Sequence, residues 1–280
     1  MLATIKSRIK ALIGLCLNGL ANPSRDSNEL PAWLRIGMLV GWALLAPVDS
    51  VLANTSWAAR AEQVFVANRA LFQNARTNAA AAWQFGRACF DWAEFAKDNE
   101  QRAQIAEQGI DACRRSVALA PSLAAGHYYL AVNLGQLART KSLGALKIVK
   151  EMEREFKLAI ESDPRFDNAG PHRSLGLLYQ EAPGWPTSIG NRSKARHHFE
   201  LAVRLCPRFP ENHLCLSEAY LKWDDKKGLA REVAALKELL PKARRAFSGE
   251  EWTQEWSDWE KRWAQIADSA DPDSARKGRR

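Results

Sequence analysis

Proline returns every 43 residues in the middle of this chain, at Pro121, Pro164 and Pro207, each time closing a similar run. The runs are Ser116 to Pro121, Ala159 to Pro164 and Ala202 to Pro207. Cys113, Phe156 and Phe199 keep the same register, as do Ser116, Ala159 and Ala202. A fourth run, ending Leu239-Leu240-Pro241, follows at a shorter period, 34 residues after Pro207. Self-similarity at periods of this size marks units that cannot bury their apolar face alone and must stack on their neighbours. A chain with this beat is constrained to fold as an array.

Within each unit the pattern is helix, turn, helix. In the third, His172 to Tyr179 opens the first helix, and Ala195, Phe199 and Ala202 mark the second. Gly176, Ala195 and Ala202 are small where the paired helices approach, while Leu175, Tyr179 and Phe199 are large enough to fill the contact. The proline after each second helix stops it, having no N–H to continue the ladder. These positions resemble the tetratricopeptide repeat over residues 83–241. The resemblance implies an all-α fold, a helical-repeat solenoid of about four helix pairs with capping helices at both ends. The pairs are expected at about 83–121, 122–164, 165–207 and 208–241. Residues 54–82 read as an N-terminal cap, with Val64, Phe65, Leu71 and Phe72 spaced along a helix from Ser56 to Arg76. Residues 242–267 read as a C-terminal cap. There Ser248 and Glu251 are spaced as a capping box, and Trp252, Trp256, Trp259 and Trp263 share one helix face. Such a stripe seals the apolar end of an array more readily than it forms an aromatic ligand platform. The tail 268–280, carrying Arg276, Lys277, Arg279 and Arg280, reads as disordered and basic.

The first 53 residues are of another kind. A basic Arg35 precedes the apolar run Ile36 to Ala46, Pro47 breaks it, and Val51-Leu52-Ala53 has the small-residue form of a cleavage site. An earlier candidate runs from Lys6, Arg8 and Lys10 through Ala11 to Ala21. Residues 1–53 are therefore expected to be a signal peptide or an N-terminal membrane anchor, and the protein to be exported, periplasmic or otherwise extracytoplasmic. In that compartment disulfides are allowed. Cys89 and Cys113 fall too far out of step on antiparallel helices to pair. Cys206 and Cys215 flank a loop within pairing reach, and small buried apolar residues is the fuller account of all four.

The net charge of +8 comes from 40 basic and 32 acidic residues interspersed along the helices, with no basic stripe interleaved with aromatics, so nucleic acid is excluded as a partner. The motifs of catalysis are missing. His127, His172, His197, His198 and His213 form no metal-spaced pair, since adjacent His197 and His198 point about 100° apart. No paired-cysteine motif, phosphate-cradling glycine loop or nucleophile elbow is written. The expectation is a binding protein with no catalytic residue, metal or cofactor.

The third unit carries the informative insertion, Glu181 to Asn191, in which Pro183, Gly184, Pro186 and Gly190 stiffen a bend around Trp185. Two roles suit Trp185: a contact for a ligand or partner, or an aromatic folded back over the helix pair. The stretch Phe166 to Tyr179, then Ala182-Pro183-Gly184-Trp185-Pro186 and Gly190, then Pro210-Glu211-Asn212-His213, resembles the T-component family of TRAP transporters and the related regulators of microtubule dynamics. That resemblance implies a binding role for Arg173, Trp185, Glu211 and Asn212, and, for the T-components, a periplasmic protein with a ligand-accessible cavity. No lipid-attachment cysteine follows the signal, which departs from that pattern. Counting helical positions from Gly176, the groove is expected to be lined by Arg173, Leu177 and Gln180, by Leu130, Leu134 and Leu137 in the second unit, and by Glu211, Leu214 and Glu218 in the fourth. A groove apolar at its centre with charges at one side suits a segment of a partner protein, or a small hydrophobic or acidic ligand.

Overall fold

The computed structural model describes residues 48–141 and 144–270, with side chains from residue 57. Ten α-helices follow one another among the described residues: α1 (Val48–Asn74), α2 (Ala79–Ala93), α3 (Asn99–Leu119), α4 (Ala124–Ala138), α5 (Ala145–Ser162), α6 (Phe166–Glu181), α7 (Arg192–Leu205), α8 (Pro210–Lys222), α9 (Lys226–Ala246) and α10 (Thr253–Ala270). Each packs on the next, and α2 also packs on α4, so the pairs α2–α3, α4–α5, α6–α7 and α8–α9 stack side by side. The array is the expected all-α solenoid. Of the expected leader, residues 1–47 lie outside the described residues, and the proposed cleavage point after Ala53 falls inside α1. Of the tail expected to be disordered, 268–280, residues 268–270 form the last turn of α10, and 271–280 lie outside the described residues.

The starts of four helices are written locally. Asn78, Asp98, Asn191 and Asp225 cap α2, α3, α7 and α9, their side-chain oxygens accepting from the N–H groups of Ala80 and Ala81, Gln101, Lys194 and Gly228. Pro121, Pro164 and Pro207 stand just beyond the ends of α3, α5 and α7. Pro241 behaves differently: α9 runs through it to Ala246. One missing hydrogen bond near the C-terminal end of a 21-residue helix is outweighed by the packing of Leu236 and Ala243 on either side.

Small residues set the distance between paired helices. A Cβ on Gly176 would lie 2.8 Å from the Phe199 ring, and one on Gly86 would lie 2.1 Å from Cys113 Sγ. Ala195, Ala202, Leu175, Tyr179 and Phe199 are all buried at the same contact. Cys89 in turn lies against Gly109, so each cysteine of the first pair fills the space left by a glycine of the other helix. The four described cysteines are free thiols.

Both caps are present, with changed boundaries. The first pair begins at Ala79 rather than 83, and Phe65 and Phe72 of α1 pack on Phe85 of α2 at ring separations of 5.5 and 5.6 Å. At the other end the expected capping box does not form. Gly249, at φ 107°, redirects the chain, Glu250–Trp252 make a 3₁₀ turn, and the helix starts only at Thr253. Trp252 therefore stands before α10, not on it. Trp256 and Trp259 are buried, the latter at the centre of an aromatic cluster with Phe209 and Phe247, while Trp252 and Trp263 are half-buried. Burying two indoles stabilises this end by several kcal/mol, about 1.5–3 each. An exposed pair between Arg60 of α1 and Glu250, at 3.0 Å, joins the two ends of the array.

Gly176→Ala is expected to lower the unfolding free energy by about 1–3 kcal/mol, because the Phe199 ring must leave its rotamer, an effect larger than the gain in helix propensity. Urea denaturation followed by circular dichroism checks this; an unchanged midpoint contradicts the close-approach account.

Candidate functional site

Polar side chains are concentrated on the first helices of the pairs, and they repeat. His127 Nε2 contacts the carbonyl of Pro121 at 2.8 Å and its Nδ1 contacts Glu155 at 2.6 Å. His213 does the same two units later, with Pro207 at 2.9 Å and Glu232 at 2.8 Å. Each histidine thus ties the turn before its helix to the second helix of its pair. Hydrogen bonding to Glu155 raises the His127 pKa against the opposing effect of burial. The sequence signal was a histidine six residues after a repeat proline, paired with a glutamate one helix later.

The third unit has Gly170 at that position and a different device. Asp167, Asn168 and Ala169 all adopt left-handed backbone, at φ 52°, 53° and 62°, before the regular helix begins at Pro171. Three successive non-glycine residues there cost about 1–2 kcal/mol each relative to ordinary backbone. The turn aims the Asn168 carbonyl at Arg173 Nη1 (3.2 Å) and at Asn212 Nδ2 (3.1 Å), and brings Asp167 to 3.7 Å from Arg173. Arg173 also donates to Asn212 Oδ1 at 2.7 Å, and its guanidinium lies 5.4 Å above the Phe209 ring. Asn212 spends its remaining donor capacity on the carbonyls of Ala202 and Cys206. A single cluster therefore holds the α6–α8 junction; Arg173, Asn212 and Phe209 are buried in it, and Asp167 and Asn168 are half-buried at its edge.

At the last junction α10 lies along α8. Arg262 donates to both oxygens of Glu211, at 2.9 and 2.7 Å, and to Glu218 at 2.8 Å, and Trp259 Nε1 donates to Glu211 at 2.8 Å. Burial opposes the charge on Arg262, but the Glu211 carboxylate prevails and holds the guanidinium pKa above its ordinary value. Cys215 donates to Glu211 at 3.2 Å.

These arrangements place the expected groove residues. Arg173, Glu211 and Asn212 are brought together as junction residues with no solvent exposure to speak of. Leu130, Leu134, Leu177 and Leu214 are core residues, packed between repeats rather than lining an open groove. Leu137, Gln180 and Glu218 are half-buried, with Gln180 bonded to Glu181 at 2.7 Å. The reason is legible at α4, whose sequence Ala124 to Ala138 has no charged residue: a helix apolar all round is buried all round. His172 and His198 meet across α6 and α7 with their Nδ1 atoms 3.0 Å apart, and burial pushes both pKa values down to about 4, so the pair is neutral at pH 7. Among the described residues no group of three or more His, Cys, Asp or Glu is placed to hold a metal ion. No described helix is long and apolar enough to cross a membrane.

Trp185 is the opposite case. Its side chain is 88% exposed, so it does not fold back over the helix pair. The loop beneath it is held tightly: Gly190 donates to Pro183 O at 2.7 Å, Thr187 and Ser188 to Gly184 O at 3.0 and 3.2 Å, and Asn191 to Tyr179 O at 2.9 Å. Gly184 and Gly190 form an isolated parallel bridge, and the Trp185–Pro186 peptide is cis. Gly190 is required, since a Cβ there would lie 2.0 Å from the Ala182 carbonyl oxygen. A large apolar side chain is presented to solvent on a fixed base.

Burial raises the Asp167 carboxyl to about 6, with Arg173 and Arg87 countering and Asp91 adding to the rise. In the unfolded chain it titrates near 4. Between these values the folded state binds the extra proton, so this group adds stability as pH falls through 6. The stability of wild type relative to Asp167→Asn is expected to increase by about 2 kcal/mol from pH 7 to pH 4.5. Ala169→Gly is expected to stabilise the fold by up to about 1 kcal/mol by relieving the left-handed backbone. Denaturant titrations across pH test both.

The family model described as regulator of microtubule dynamics protein 1-3 matches residues 44–176. It covers α1 and the early pairs and meets the Phe166 to Tyr179 motif only at its end. No curated protein matches the chain. Among solved structures the fold is similar to TTC0263, a thermophilic TPR protein of Thermus thermophilus, with a TM-score of 0.55 and 17% identity, over 78% of this chain and 96% of that one. MamA aligns at a TM-score of 0.42 and 17% identity, over 65% and 88% of the two chains. Yeast Tom70 aligns at 0.29 and 11%, over 99% and 75%. Helix pairs, period and structural likeness together make this chain a tetratricopeptide-like helical-repeat protein.

Proposed function

We propose that the chain is a non-enzymatic, extracytoplasmic scaffold that binds a partner protein through the Trp185 loop. Helical-repeat arrays of this type generally serve protein–protein binding. The observation that carries the reading is the 88% exposure of Trp185 above a loop closed by its own backbone hydrogen bonds. A large aromatic on a rigid base loses little entropy on burial, which is why tryptophan dominates the energetics of so many interfaces. The groove residues contribute indirectly: Arg173, Asn212 and Glu211 fix how the pairs stack, and so where the loop stands. Carriage of a small hydrophobic ligand requires an open apolar channel, and Leu130, Leu134 and Leu177 are already packed against protein. The extracytoplasmic placement rests on the leader pattern in residues 1–53.

A photocrosslinking amino acid at position 185 is expected to yield a protein adduct in cells, whereas the same group at the exposed Val66 is not. With the partner identified, Trp185→Ala is expected to weaken the complex about 30-fold, the size of an interface hot spot. Gly190→Ala, which keeps the indole but displaces its base, is expected to weaken it comparably. The absence of any protein adduct at 185 contradicts the proposal.

A further inference from the structure

α7, which follows the Trp185 loop, and α9, whose leading turn α7 touches, carry cations at the end where a helix favours them least. A helix N-terminus bears partial positive charge and favours Asp or Glu in its first turn. α2, α4, α5, α7 and α9 have none there. α7 instead begins with Arg192 and Lys194, and α9 with Lys226 and Lys227. These two N-termini lie side by side, since Arg192 Nη2 donates to the carbonyl of Trp223 at 3.0 Å in the turn leading into α9. Asn191, the closing residue of the loop that carries Trp185, is also the cap of α7, so the first of these N-termini follows directly on the loop.

Arg192 and Lys194 are held without a direct ion pair among the described residues; Glu153, already bonded to Lys157 and Tyr179, is the carboxylate that feels the charge of Lys194. Arg192 lies 5.3 Å from the Trp223 ring centroid and Lys194 lies 5.2 Å from that of Tyr179. Stacking on an aromatic face fixes the head group without cancelling its charge, unlike the ion pairs nearby, Lys222 with Glu181 and Arg196 with Asp225. Arg192, Lys194, Lys226 and Lys227 are all exposed, and Asp224 is the exposed carboxylate in the same turn. The positive charge on this edge is therefore in excess, and it works against the helices that carry it.

We infer that the partner bound at the Trp185 loop is an acidic protein segment, with an apolar notch for the indole and carboxylates facing Arg192, Lys194, Lys226 and Lys227. The inference rests on the proposed role of Trp185 and adds the chemistry of what it meets. Charge complementarity around one buried aromatic anchor speeds encounter and fixes register, while the indole supplies most of the affinity.

The test uses the crosslinker at position 185 in the full chain, with the adduct mapped by mass spectrometry. A variant combining Arg192→Glu, Lys194→Glu, Lys226→Glu and Lys227→Glu serves as the probe of charge. Acidic residues in a first helical turn are favourable and offset the loss of the Arg192 and Lys194 ring contacts, and urea denaturation of this variant beside wild type separates lost binding from lost fold. The inference expects an adduct on a net-acidic segment, a yield that falls at least tenfold between about 50 and 300 mM NaCl, and no adduct in the charge-reversed variant. A protein adduct on a neutral or basic segment, or a yield indifferent to salt and to charge reversal, overturns this inference and leaves the binding role of Trp185 intact. An adduct to phospholipid alone assigns the edge to a membrane surface and overturns both. No adduct of any kind removes the proposed function itself.

Discussion

The architecture depends on how closely two helices of a pair can approach. Where Gly86 meets Cys113 and Gly176 meets Phe199, the backbone of one helix receives the side chain of the other with no Cβ between them. The interlock, repeated where Gly228 meets Tyr220, fixes how closely the helices of these pairs pack. The junction clusters at Arg173 and Glu211 then have to form between surfaces whose positions are already set.

Those junctions are where this chain departs from a simple apolar stack. Burying a guanidinium is tolerable only when its donors and charge are answered, and Arg262 is answered by Glu211 and Glu218 together. Arg173 is answered less completely: a strained turn brings the Asn168 carbonyl and the Asn212 amide to its Nη1 and the Asp167 carboxylate to 3.7 Å, while its Nε and Nη2 have no hydrogen-bond partner among the described residues. A buried polar contact of this kind tolerates little displacement, so it selects one stacking geometry where leucine against leucine accepts several. The specificity of assembly lies in these few residues, and the bulk of the stability in the apolar contacts around them.

Much of the fold was legible because its signals are local and periodic. The 43-residue beat, the small residues at the helix contacts and the prolines after α3, α5 and α7 each follow from one physical rule applied repeatedly. What was not legible involved competition between rules. Pro241 was read as a stop, yet packing on both sides carried α9 past it. Ser248 and Glu251 have the spacing of a capping box, yet Gly249 turns the chain before one can form. The groove was read from helical spacing alone, which cannot tell a face lining a channel from one pressed against the next repeat; the lack of charge in α4 was the overlooked sign. Trp185 could be assigned to the loop by its neighbours, but its orientation depended on hydrogen bonds between Pro183, Gly184 and Gly190 that no spacing rule encodes.

The union of Glu211 with Arg262 and Trp259 has a bearing on how the array ends. An apolar lid could close any repeat whose outer face is greasy. This one closes only a repeat that offers a carboxylate at the matching place, and α8 does so at Glu211. Shortening the chain before Thr253 leaves that carboxylate stranded in a dry setting, and a lid moved onto α6 finds the amide Asn168 at the matching place, with no carboxylate to receive Arg262. The closing helix is thereby matched to one repeat by the chemistry of their contact, independently of the period that generates the array.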